Sequence, residues 1–459
     1  MHVSNSWKPV LKDNRDSIDF GKEPVGKLFR KMFLPTLVAM VSMVVLNITD
    51  GAFVGHGVGS DALAAVNIIA PLFMVMGGIG LMFGIGGSVV ASIHLSKGKT
   101  KAANINITQS MIAGFVIGAL LTVLMLTHQR ETCRLFGSSE ALMLLANSYL
   151  VWIVGLMPFC ILANVGMFMV RLDGAPRLAM WLNLIAAGMN MFGDWFLIFP
   201  MNMGLEGAAI ATSCSFGLEG IVVLIYLLFF SKTIRMYRLK VSVKSLMLSL
   251  RNIGYQIRVG GSAFLGEIAI SAIIIIGNYQ FMRYLGEDGV AAFSVGCYMT
   301  PICFMFGNAI VQSSQPIISF AHGQGNHHRI VSAMRIDIIT AVLCGIGGMV
   351  FVWLASEWVS STFLPNGCKA WELCNHGLPI FGISFLFVII NLTLIGYYQS
   401  TEKSTLATVF TFLRGVFFML PSFILMPIWL GTDGLWLSQC VSEIATLMCI
   451  SAFLLIRKS

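Results

Sequence analysis

Two carboxylates stand inside long apolar stretches of this chain: Asp50, three residues after Asn47, and Asp194, one helical turn after Asn190. A charged group within a membrane-spanning helix costs about 2.5–3.5 kcal/mol on insertion scales, so such acids are candidates for function by default. Asp50 lies about 18 residues into its stretch and Asp194 about 17 into a stretch running the same way; at 1.5 Å per residue both reach one depth. Asn190 shares a helix face with Asp194, and Thr212, in the following antiparallel stretch, falls at a matching depth. Asp50, Asn190, Asp194 and Thr212 are therefore expected to form one oxygen-rich layer that holds a proton or Na⁺. The competing reading is an acid capped by a neighbouring amide that only fixes helix packing.

Other polar groups inside apolar stretches widen the set. Glu267 and Arg414 each lie about eight residues from the same edge of the bilayer, at one depth by helical rise. They are expected either to pair across helices or to contact a substrate. Glu219 and Glu443 have no sequence-evident partner, and Asn47, Asn164, Asn183, Gln312 and Asn391 are further candidates for a cavity wall or a secondary coupling role. No catalytic set is found: the chain has no phosphate loop of the GxxxxGK[ST] type and no metal spacing of Cys and His. His322, His327 and His328 cluster in a polar segment and are expected to be solvated. Cys368 and Cys374 share a loop, either paired or as free thiols. The expectation is a protein that is not an enzyme and carries no cofactor beyond a coupling ion.

Positioning these residues is the task of long apolar helices. The 459 residues are 57% hydrophobic and 11% charged, with mean hydropathy +0.83, well outside the range of soluble globular chains. Apolar stretches of 20 residues or more recur along the sequence, each able to span a bilayer as a helix. Twelve are read, which predicts an all-α polytopic membrane protein. The alternating short segments of a transmembrane barrel are absent.

Charge location orients it. Of the 29 Lys and Arg residues, all but Arg130, Arg134, Arg283, Lys369 and Arg414 fall in the two tails or the even-numbered loops. That bias places both termini in the cytoplasm of a multi-pass cytoplasmic (inner) membrane protein. It also makes the net charge of +8 a topological signal rather than a nucleic-acid one. The expected organisation is a cytoplasmic tail (1–31), a first lobe of six spans (32–230), a basic inter-lobe linker (231–258) that includes Lys240, and a second lobe of six spans (259–456). The polar N-terminal tail is expected to precede an uncleaved first span.

The two lobes repeat one another at a constant offset. Gly59, Asp61, Ala64 and Ala65 recur as Gly286, Asp288, Ala291 and Ala292; Gly98 recurs as Gly325, Asn164 as Asn391, and Gly204 as Gly431. Six spans per lobe give both halves one orientation, so the repeats are parallel. Transporters so built bind substrate between the halves near the midplane. At the same offset Asp50 and Asp194 meet Gly277 and Pro421. The acid layer belongs to one lobe.

In order and spacing these landmarks resemble the multidrug and toxic compound extrusion (MATE) transporters. The matching segments are Pro35, Asn47-x-x-Asp50-x-x-Phe53-Val54-Gly55, Gly59-x-Asp61-Ala62-Leu63-Ala64-Ala65, Asn183, Asn190-x-x-x-Asp194, Gly204-x-Glu206-Gly207, Thr212, Gln312-x-x-Gln315-Pro316 and Gly434-x-Trp436. The resemblance runs from about Leu34 to the end of the last span. It implies a V-shaped, two-lobe antiporter, acting as a monomer, that expels organic and often cationic compounds as H⁺ or Na⁺ flows inward. A first-span acid with Asn-x-x-x-Asp in the fifth span is similar to the DinF-like branch, whose ion site, carried over, is Asp50, Asn190, Asp194 and Thr212. In the NorM-like and eukaryotic branches acids of the second lobe serve instead; Glu267 lies about one turn earlier than that pattern expects. The rival expectations are a flippase for lipids or lipid-linked saccharides and, from another class, a polytopic membrane enzyme.

Overall fold

The computed structural model describes residues 18–239 and 242–456. Most of the tail, Lys240 of the linker and the basic residues Arg457 and Lys458 lie outside the described residues. Three long helices, α1 (Val25–Gly57), α2 (Ser60–Ser96) and α3 (Thr100–Thr127), open the chain. A short α4 (Gln129–Leu135) precedes α5 (Met143–Gly155) and α6 (Met157–Leu172), which together make one span bent by 52°. Pro158 at the start of α6 removes a backbone donor at that bend. The first half closes with α7 (Pro176–Ile198) and α8 (Gly204–Ile225).

The second half begins with α9 (Val243–Gly323), 81 residues long but broken at Gly286, where φ is 68°. It therefore supplies two spans. Then come α10 (His327–Phe363), the consecutive α11 (Lys369–Gly382) and α12 (Ser384–Ser400), α13 (Ser404–Phe412) joined through a π-helical turn (Leu413–Phe417) to α14 (Met419–Leu430), and α15 (Thr432–Ile456). Nine helices among the described residues are long and apolar enough to cross a membrane, or ten with the bent pair. Counting α9 twice and adding α7, whose Asn183, Asn190 and Asp194 dilute its apolar character, brings the spans to the expected twelve. Gly59 and Gly286, Gly98 and Gly325, and Gly204 and Gly431 all have positive φ. Each repeated glycine marks a turn that other residues adopt only with strain.

The helix of the seventh span starts at Val243, well before the expected position 259, so much of the expected linker is helical. Side chains divide into two large cores. One joins Phe83, Ile107, Met111, Tyr149 and Ile161 of the first half; the other joins Phe281, Phe293, Phe381, Phe423 and Trp436 of the second. The start of α1 belongs to the second core, through Val25, Leu28 and Phe29. Arg329 at the head of α10 fastens it there by donating to the carbonyls of Phe20 (2.7 Å) and Glu23 (2.9 Å).

At the end where α2 stops and α3 begins, here the basic end, the halves meet across a tight seam. Gly260 of α9 faces the carbonyl of Met82 so closely that a Cβ there would sit 1.9 Å from its oxygen, and Gly86 faces the Gln256 carbonyl in the same way, at 2.1 Å. The Gln256 amide donates to the Asn106 carbonyl (3.0 Å) and accepts from Ser110 (3.0 Å). Ser92 donates to the carbonyl of Pro316 (3.3 Å), and Gln315 donates to Ser88. Small residues permit this backbone approach, and the polar contacts then fix its register.

Candidate functional site

On the other side of that seam lies a cavity of about 520 Å³, walled by α1, α2, α5, α6, α7, α8 and α9. Its size suits a drug-sized molecule. Met43, Phe73, Met74, Met76, Met167 and Phe216 supply much of the apolar wall. Asp50, Glu219 and Glu267 supply acid, and no Lys, Arg or His stands among the lining residues described.

The acid layer forms at the upper wall. On α7 the residues Ala186, Asn190, Asp194 and Ile198 recur at helical spacing and are all buried. Close approach of α7 to α8 is possible because Gly193 lies against Ala211. There Asn190 donates its amide hydrogen to the Thr212 hydroxyl at 3.1 Å. Asp194 is 0% exposed, and its carboxyl interacts with that of Asp50 on α1. Neither Asp194 oxygen, nor Oδ1 of Asp50, has a partner in ordinary hydrogen-bond geometry. Tyr149 of α5, fully buried, completes the surroundings and interacts with both acids. Nothing in the sequence marks Tyr149, since a tyrosine in an apolar span reads as core.

Asn47, Asn164, Asn183, Asn190, Thr212, Glu219 and Glu267 all reach the cavity wall. Asn164 and Asn183 also donate to carbonyls one turn back on their own helices. Gln312 lines a smaller cavity between α2 and the second half, together with Arg414 and Glu267.

An ion pair between Glu267 and Arg414 does not form. Arg414 instead donates through Nε to Glu443 at 2.6 Å. Asn391 donates both to the Glu443 carboxyl (2.7 Å) and to its carbonyl (2.8 Å). Asn391 and Glu443 are thus enclosed and line neither cavity, because depth counting gives a residue's height in the bundle but not the neighbour it turns toward. This pairing predicts that Arg414→Gln lowers stability by about 3–5 kcal/mol, because Glu443 is left buried and unpaired. Adding Glu443→Gln should recover much of that loss, as read by thermal unfolding of the purified protein.

Cys368 and Cys374 are free thiols. The first caps α11 by accepting from the Trp371 amide, and the second accepts from Ser360. Sequence reasoning passed over Asp337 of α10, which is 1% exposed and lies beside Ser314. An acid within an apolar stretch was the available signal. Arg171, one of the basic residues expected in an even-numbered loop, is buried instead, at the end of α6.

At position 277, the offset equivalent of Asp50, the second half is filled with rings, whereas Pro421, the equivalent of Asp194, is exposed. Gly277 lies so near Phe293 that a Cβ would sit 2.3 Å from its ring. Phe293 stacks on Phe281 at 4.5 Å, and Trp436 meets Phe281 edge-on at 4.9 Å. No acid side chain fits at position 277 without displacing that stack.

Known proteins agree with this architecture. The MatE family profile matches twice, over residues 35–196 and 263–424, once in each half. The multidrug export protein MepA of Staphylococcus aureus (strain MRSA252) is 22% identical over 441 residues, which cover 95% of this chain and 94% of MepA. MepA of Staphylococcus saprophyticus subsp. saprophyticus is 23% identical over 438 residues, with the same coverage. Among solved structures, a multidrug resistance MATE family transporter of the MOP superfamily in an outward-facing conformation superimposes with a TM-score of 0.86 at 19% identity, covering 96% of this chain and 98% of that one. A MOP superfamily transporter from Pyrococcus furiosus gives 0.87 at 19% identity, covering 95% and 97%. A profile matched in both halves, over well more than half of the residues, establishes that the chain belongs to the MatE family of membrane transporters.

Proposed function

We propose that the protein is a cation-coupled antiporter of the cytoplasmic membrane, exporting lipophilic organic cations by alternating access with both termini inside the cell. It works as a monomer, as in the DinF-like branch, with Asp50 and Asp194 binding the driving H⁺ or Na⁺ beside Asn190 and Thr212. The observation that carries this reading is a pair of buried, interacting carboxyls, Asp50 on the wall of a cavity with acidic but no basic lining and Asp194 enclosed behind it. The export activity named for the MepA proteins of two staphylococci supports the direction of transport.

The closed seam at the basic end and the cavity beyond it correspond to an outward-facing state. A proton or Na⁺ arriving from outside removes the repulsion between Asp50 and Asp194. α1 then repacks, which matters for both halves because its ends pack in different cores. Drug release and ion entry are linked because a ligand shifts such an equilibrium only by its differential affinity for the two states. A flippase for anionic, lipid-linked saccharides needs basic residues in its cavity; here Arg414 is neutralised by Glu443.

The test is efflux of a cationic dye from reconstituted vesicles under separately imposed Na⁺ and proton gradients. One gradient should drive efflux well above leak. Efflux at the leak level under both gradients overturns the reading.

A further inference from the structure

We propose that Glu219, at the floor of the cavity, receives the cationic group of the exported compound and so determines its selectivity for cations. This inference rests on the antiporter reading and assigns the substrate its own carboxylate, apart from the Asp50–Asp194 pair.

Glu219 lies on α8 seven residues beyond Thr212, on the same helix face and about 10 Å deeper toward the basic end. It lines the cavity with Cys160, Asn164, Met167 and Phe216. It is 6% exposed, and its Oε1 is buried with no hydrogen-bond partner. Behind the floor stands Arg171, one turn past Met167 on α6. The guanidinium interacts electrostatically with Glu219, yet its Nη1 also lacks a partner. The two charges attract without closing into a pair.

The second half shows what a purely structural version looks like. Glu443, on the last span of its own half, is held by Arg414 and Asn391 and lines neither of the two cavities described above. Glu219, on the last span of the first half, keeps a nearby arginine but stands on the cavity wall with no hydrogen bond to its buried Oε1. An unmet buried acceptor carries the full desolvation penalty of that group. A ligand ammonium or iminium group meets that acceptor, while Arg171 supplies part of the compensating charge when the site is empty. The Met and Phe side chains above the floor adapt to varied lipophilic bodies. A compound anchored on Glu219 and roughly 10 Å long reaches the Asn190–Thr212 layer. Substrate and coupling ion then sense one another without sharing atoms.

The test uses the full-length protein in nanodiscs of uncharged lipid. Two fluorescent probes are titrated: ethidium, a permanent cation, and Nile red, a neutral dye. Glu219→Gln should weaken ethidium binding about tenfold, equivalent to about 1.4 kcal/mol, and change Nile red binding less than about twofold. Glu219→Asp, which keeps the charge, should restore most of the ethidium affinity. Unchanged ethidium binding in Glu219→Gln overturns the inference, as does an equal loss of both dyes, which marks a structural role. If the unaltered protein drives dye efflux while Glu219→Gln binds ethidium normally, only this assignment fails. If the unaltered protein binds ethidium but exports it under neither gradient, the antiporter reading fails.

Discussion

Asp50→Asn reduces gradient-driven dye efflux by about a hundredfold, because a lobe equilibrium that senses the ion equally in both states is not moved by it. The amide is nearly the same size as the carboxyl but can neither take up a proton nor offer Na⁺ a negative oxygen. Asp194→Asn has the same effect: neither oxygen of Asp194 has another partner to sustain a purely structural role. Folding is preserved in both, since removing one of two facing buried acids relieves repulsion. Proteoliposome efflux, with size-exclusion profiles as the check on folding, measures this. Wild-type rates in both variants would sink the coupling site.

The second large effect is at the seam. Gly260→Leu places a side chain where even a Cβ lies 1.9 Å from the Met82 carbonyl oxygen, and a backbone oxygen cannot rotate aside. Overpacking of this kind costs about 1–3 kcal/mol, enough to shift the balance of states by roughly five- to 150-fold. The basic end is held open and transport falls by at least about tenfold. A cysteine introduced at Ser92, fully buried in the closed seam, becomes reactive to a water-soluble maleimide applied from that side. Unchanged transport and unchanged labelling would refute the seam as the closed gate.

Several of these residues were legible from spacing alone. Asp50, Asn190, Asp194 and Thr212 lie in one layer because helical rise converts sequence position directly into depth, and Asn190 with Asp194 shares a face by the helical period. Depth says nothing about rotation around the bundle axis. That is why Arg414 was matched with Glu267 at equal depth, while the structure turns it toward Glu443. It is also why Tyr149, which reads as core of an apolar span, carries no signal of its place beside the acids. Arg171 was hidden for another reason. A basic residue near a helix end reads as a solvated loop charge, and only packing shows whether that helix end is enclosed.

The sequence by itself determined the twelve spans, the repeat of one half in the other and the positive-φ glycines that close its turns. Each of these follows from local composition or from period. It also located the break in the repeat, with acids at 50 and 194 opposite Gly277 and Pro421. What fills that break was decided only in three dimensions. Phe281, Phe293 and Trp436 pack together beside Gly277, the counterpart of Asp50, so one half is sealed there by rings and the other holds paired carboxyls beside a cavity. Side chains brought together from three helices set that difference, and the direction each one faces depends on the packing of all of them.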